Sequence, residues 1–179
     1  MDMMNSSKME IFIQSLNAEE ASQVLKILLK DNPDLIKKVY DIAMIVTGDV
    51  DVDEIMDEVF YELDALDVDD LYSRSGKTRY GYVEPHDESW EMFEEALQPF
   101  IDEMKKNQQR ALPVLAKTYC IGIIKGLMMY EKESSSDFAD WVTDAPGEYV
   151  DTVIKEWKKG DPSNEDIAEV MSIAKGGQS

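Results

Sequence analysis

Residues Pro113–Tyr130 read PVLAKTYCIGIIKGLMMY, with no charge between Lys117 and Lys125. In a chain that is 31% charged, such a segment belongs inside the molecule. A helix apolar all round is a buried helix, so this one is expected at the centre of the fold. Gly122 and Gly126 lie one helical turn apart and would let a neighbouring helix approach closely, although that spacing is a weak signal outside membranes.

Working outward, the period stays helical. Before the central segment, Asp87 is read as the cap of a helix that turns Trp90, Phe93, Leu97, Phe100, Ile101 and Met104 inward. Its first turns are acidic and Lys105 and Lys106 close it, which suits the helix dipole. Pro99 removes a backbone donor inside it and is expected to kink it. Asp51 and Glu54 open another helix, with Val52, Ile55, Met56, Val59, Phe60, Leu63 and Leu66 on one face. Asn17 and Glu20 form a capping-box pattern before Ala18–Lys30, whose apolar positions are Ala21, Val24, Leu25, Leu28 and Leu29. Asn32-Pro33 begins the next helix, through Leu35, Ile36, Val39, Ile42 and Ala43 to about Val46, with Gly48 as its stop. These two segments are expected to form an antiparallel hairpin. After the central segment come a short helix near Asp137–Val142, one from about Pro146 to Lys159, and a last one from Asn164 to Lys175.

The expected fold is therefore all-α. About six to eight helices pack as successive helical hairpins around Pro113–Tyr130, in an arrangement compatible with a short α-solenoid-like stack. The organisation is read as a partly flexible segment over 1–14, a single helical domain over 15–175 and a flexible tail over 176–179. The connection over 67–86 lacks a sustained period, and connections of that length are often functional or mobile.

Composition removes several classes of function. The 179 residues suffice for one domain with a sizeable core, and 44% of them are hydrophobic. Net charge is -20, which disfavours nucleic-acid and anionic-membrane binding, both built from clustered Lys and Arg. The single cysteine, Cys120, excludes an internal disulfide framework and an all-Cys metal cluster. A reduced, cytoplasmic setting fits. The polar start carries no signal-peptide pattern, and the longest apolar run, Thr118–Ile124, is too short to span a bilayer.

The charge pattern singles out one place. Asp49–Tyr72 holds eleven acids and no base, and Glu84–Met104 holds eight acids and no base. Between them, Ser73–Val83 carries Arg74, Lys77 and Arg79 with Tyr80 and Tyr82, and no acid. Three cations and two phenols supply guanidinium forks, donors and stacking faces to a partner. The alternative is internal: Arg74 and Arg79 pair with Asp67, Asp69 or Asp70 and clasp the loop to its own helices.

Other motifs fade on inspection. Gly76-Lys77-Thr78 resembles the end of a phosphate loop, but the glycine required five positions earlier is Leu71. Asp49, Asp51 and Asp53 alternate like a calcium loop, but its sixth and twelfth positions are Glu54 and Phe60 rather than Gly and Glu. His86, the only histidine, sits at a helix start with no nucleophile motif such as Gly-x-Ser-x-Gly in the chain. Cys120 reads as a small core residue, and the eleven methionines as core fillers.

Leu66–Tyr72, Arg74–Pro85 and Trp90 with the acidic helix through Pro99-Phe100 together resemble the helical region that follows the zinc finger in bacterial SWIM zinc-finger proteins. The run from Ser15-Leu16 to Asn32-Pro33-Asp34-Leu35 and the Cys120–Ile123 helix are similar to it too, so the resemblance covers roughly residues 15–130. The finger itself is absent: the chain has no Cys-x-Cys and no Cys-x-His, so zinc ligands and any nucleic-acid role tied to them do not carry over. The resemblance implies a helical module acting as a protein-interaction unit.

The resulting expectation is a non-catalytic interaction or scaffold module with no cofactor and no metal, whose partner is a protein. Asp69, Asp70, Arg74, Lys77, Arg79, Tyr80 and Tyr82 are the candidate contact or clasp residues. One alternative is an acidic decoy for a basic, nucleic-acid-binding protein, using the Asp49–Asp70 face. Another is an enzyme with a carboxylate-bound metal. The oligomeric state is left open.

Overall fold

The computed structural model describes residues 3–47 and 50–176. The expected stop at Gly48, the acid at Asp49 and the tail over 177–179 lie outside the described residues. The sequence reading draws one domain over 15–175. By its internal contacts the chain falls into two compact units, Met1–Asp49 and Val50–Ser179, and each is described by itself.

The first unit holds α1 (Met3–Gln14), α2 (Ala18–Asp31), a single 3-10 turn (Pro33–Leu35) and α3 (Ile36–Thr47). The α2 capping box forms: the Glu20 amide donates to Asn17 Oδ1 at 2.9 Å, and the Asn17 amide donates to Glu20 Oε2 at 3.0 Å. α1 is a helix where the sequence predicts a partly flexible segment over 1–14. Its apolar residues Met9, Ile11, Phe12 and Ile13 cluster without helical spacing. Among the described residues, α2 and α3 both meet the 3-10 turn but make no extended contact along one another, so the expected hairpin is not seen there.

The second unit is built on α7 (Pro113–Glu133), the segment the sequence places at the centre. It packs against α4 (Val52–Asp64), α6 (Pro85–Gln109), α8 (Ala145–Lys158) and α9 (Asn164–Gly176). Cys120, Ile123, Ile124 and Leu127 of α7 are fully buried, together with Val59 and Leu63 of α4, Phe93 and Leu97 of α6, Val153 of α8 and Val170 of α9. The two α7 glycines face α4. A Cβ on Gly122 would lie 2.6 Å from Ile55 Cβ, and one on Gly126 would lie 2.6 Å from Val59 Cβ. Glycine at these positions is therefore a packing requirement of the most extensive helix pair in the unit. α6 runs through Pro99 as one 25-residue element. It begins at Pro85, after Glu84, with no side-chain cap; the expected cap, Asp87, lies inside the first turn.

The fold is all-α, as expected, with nine α-helices among the described residues rather than six to eight. Part of the excess lies in the connection over 67–86. Asp67 caps α5 (Val68–Arg74) by accepting from the Asp69 amide at 2.6 Å. Then β1 (Gly76–Thr78) and β2 (Gly81–Val83) make a small antiparallel hairpin. Seven residues give barely two turns and three-residue strands give one alternation, so neither shows as a period. Among the described residues no helix is long and apolar enough to cross a membrane.

Candidate functional site

The basic island is the end of α5 and the hairpin after it. Leu71 anchors α5, its side chain fully buried in the core of the second unit. Burial of one such side chain is worth about 1.5–3 kcal/mol. The helix stops at Arg74, and Gly76 takes φ +85, a left-handed conformation that turns the chain into β1. In the hairpin, Gly76 pairs with Val83, Lys77 with Tyr82 and Thr78 with Gly81, leaving Arg79 and Tyr80 at the tip. Thr78 Oγ1 ties the tip: it donates to the Gly81 carbonyl at 2.8 Å and accepts from the Tyr80 amide at 3.2 Å. Gly81 closes the turn at φ +137.

The three cations divide into two groups. Arg74 points back onto α6. Its Nη1 and Nη2 donate to Glu95 Oε2 and Oε1 at 2.8 and 3.0 Å, and its Nε lies 2.5 Å from Glu88 Oε1. The fork contact is bidentate, the geometry that gives arginine pairs their strength. Glu88 is buried, and its Oε1 has the Arg74 Nε as ionic partner without a well-aligned hydrogen bond. Hydrogen bonds from Arg74 hold the Glu95 carboxyl below its usual range, and the Glu95 bond leads the causes that raise Arg74 above its own.

Arg74 is thus a clasp, but not with the acids nearest in sequence. Its partners are Glu88 and Glu95 rather than Asp67, Asp69 or Asp70. Asp69 and Asp70 stay exposed in the first turn of α5, where the helix dipole favours them. The missed pair had one sequence signal: Glu88 and Glu95 are seven residues apart, hence on one face of α6.

Lys77 and Arg79 make no ion pair among the described residues and are exposed. Tyr80 is 94% exposed and Tyr82 65%. β1 and β2 pair only with each other among the described residues, so the hairpin also presents two open strand edges. Together they offer an ammonium, a guanidinium, two phenol faces and unpaired backbone groups: the equipment of recognition, with no nucleophile or acid–base pair set among them.

The remaining sequence candidates lie elsewhere. His86 is exposed and meets the edge of Trp90, ring centres 6.2 Å apart. Cys120 is fully buried, and burial pushes its thiol up to about 12. Among the described residues no three His, Cys, Asp or Glu side chains are placed to hold a metal ion. A cleft of about 400 Å³ opens where α6 meets α7 and α8 meets α9, lined by Gln108, Pro113, Trp157, Asp161 and Asp166. Ala111 and Asp161 beside it adopt positive φ, which sequence reading did not anticipate. Set against protein-family models, curated proteins and solved structures, the chain matches none.

Proposed function

We propose that this chain is a non-catalytic helical interaction module and that the hairpin over 76–83 is its protein contact. One observation carries the reading. Arg74 is consumed by Glu88 and Glu95, while the side chains of Lys77, Arg79, Tyr80 and Tyr82 are exposed on an acidic molecule, and neither cation makes an ion pair among the described residues. Two rigid aromatic side chains beside two cations are typical anchors of a protein interface, since each covers area at little conformational cost. The resemblance of residues 15–130 to the helical region of SWIM zinc-finger proteins supports the same reading, and the setting proposed for the module is the cytoplasm. The test is affinity purification from the native host with wild-type, Arg79→Ala and Tyr80→Ala baits of equal thermal stability. A protein enriched at least about tenfold by wild type and lost with both variants is expected. Equal recovery of every co-purifying protein by all three baits removes the hairpin from the reading.

A second reading, an acidic decoy for a basic nucleic-acid-binding protein, rests on the exposed acids Asp53, Asp57 and Glu58 of α4, of which Asp53 also accepts from Lys125 Nζ of α7 at 3.3 Å. Asp64 does not belong to that face: it is half-buried and accepts from Ser134 Oγ at 2.6 Å. This reading requires binding that weakens steeply with salt and with Asp53→Asn and Asp57→Asn together.

A further inference from the structure

The first unit presents an apolar surface that its own chain segment leaves open. None of the residues of α2 is buried. Val24, Leu25 and Leu28 of α2 and Ile36, Ile42 and Val46 of α3 are each at least 40% exposed. Their spacing is helical in both elements, so each helix carries one stripe, with Lys26 and Lys30 behind the first and Lys37, Lys38 and Asp41 behind the second. At 14 and 12 residues, α2 and α3 are at the length where an isolated helix is marginal in water, about 12–15 residues. Packing must supply what propensity does not.

We propose that this unit is a self-association arm, in which α2 and α3 of one copy pack against α2 and α3 of a second copy to complete a four-helix bundle. Three features select a second copy. The first is area. With Leu29, Leu35 and Val39 beside them, the exposed stripes offer on the order of 600 Å² per copy, within reach of the roughly 600–1,000 Å² per partner that a specific interface needs. The second is charge. Residues 1–49 carry eight acids and five lysines, a net of -3 in a chain of -20. This is the part of the molecule where two copies meet with least repulsion. The third is polarity along α2. Glu19 and Glu20 stand in its first turn, and Lys26 and Lys30 stand toward its end, before Asp31. An antiparallel copy of α2 centred near Val24-Leu25 opposes the two helix dipoles and the end charges that accompany them; a parallel copy does not. The proposal uses no residue of the hairpin and stands or falls apart from it.

The experiment is sedimentation equilibrium of the full chain at about 50 µM, well above a micromolar Kd. Wild type is expected at twice its 20.4 kDa, and Leu25→Glu with Leu28→Glu at 20.4 kDa. Mild oxidation supplies a measurement that does not depend on disrupting the helix. Val24→Cys, on the stripe and near the expected twofold axis, is expected to give a disulfide-linked dimer at least about fivefold faster than Lys26→Cys on the opposite side. A 20.4 kDa wild type overturns the proposal. A dimer that survives Leu25→Glu with Leu28→Glu, or equal crosslinking of the two cysteine variants, overturns it as well.

Discussion

A Cβ placed on Gly126 would stand 2.6 Å from Val59 Cβ and 2.9 Å from the Met56 carbonyl oxygen. α7 and α4 touch there at backbone distance, and one hydrogen atom is all the side chain the contact admits. Gly126→Ala gains up to about 1 kcal/mol of helix propensity but forces the two helices apart, with a typical overpacking cost of about 1–3 kcal/mol. A net loss of about 1–2 kcal/mol in urea unfolding is expected. Val59→Ala in the same chain should recover only part of the overpacking cost, because the Met56 carbonyl oxygen cannot move out of the way.

Arg74 and Arg79 should separate cleanly. Arg74→Ala leaves the buried carboxylate of Glu88 without its cation, so a loss of about 2–3 kcal/mol is expected. Arg79 is exposed and makes no ion pair among the described residues, so Arg79→Ala should stay within about 0.5 kcal/mol of wild type. Thermal and urea unfolding of the two single variants check this. Equal losses would mean that Arg79, too, belongs to the clasp.

Acid should loosen the same clasp. The Glu95 carboxyl is held below its ordinary 4.5 by hydrogen bonds from Arg74. A carboxyl lowered in the folded state adds stability above its unfolded value, and that stability disappears as pH falls through the lowered folded value. Wild type should therefore lose more stability than Glu95→Gln on going from pH 6 to about pH 3. Glu95 is more than half exposed, so the excess should stay below about 1 kcal/mol. Urea midpoints at the two pH values, compared between the proteins, give the answer.

Cys120 is expected to be inert in the folded chain. Its thiol is fully buried and pushed up to about 12, so thiolate at pH 8 is scarce and shielded. Labelling by an aromatic disulfide reagent should be at least about a hundredfold slower in native buffer than in urea. Rapid native labelling would show that α7 opens to solvent.

The hairpin tip depends on a glycine for reasons of backbone rather than space. A Cβ on Gly81 meets nothing within 4 Å, yet its φ of +137 is one that L side chains rarely adopt. Gly81→Ala should cost about 1 kcal/mol locally and speed amide exchange in the β1–β2 ladder without altering the melting of the helical core.

Much of this protein could be read from periodicity alone. The steps of three and four in Val52–Leu66, Trp90–Met104 and Pro113–Tyr130 place the apolar faces of α4, α6 and α7, and the uncharged turn before Lys125 marks the central helix. The Asn17–Glu20 capping box fixes the start of α2, because capping is a contact between residues three apart. The charge island is equally a property of the linear chain. The shortest elements escaped: α5, at barely two turns, and the three-residue strands are too brief to show a sustained period. Three matters belonged to the tertiary structure. Arg74 had three acids within seven residues and chose Glu88 and Glu95 instead, because only the packing of α5 on α6 sets which carboxylates stand in reach of its fork. Gly122 and Gly126 became close-contact positions only once α4 lay across them. The stripes of α2 and α3 were plain in the sequence, but only the fold shows that, among the described residues, the two helices do not cover each other. A sequence records which faces are apolar and which residues are charged; which face meets which is decided by distances that exist only after the chain has folded.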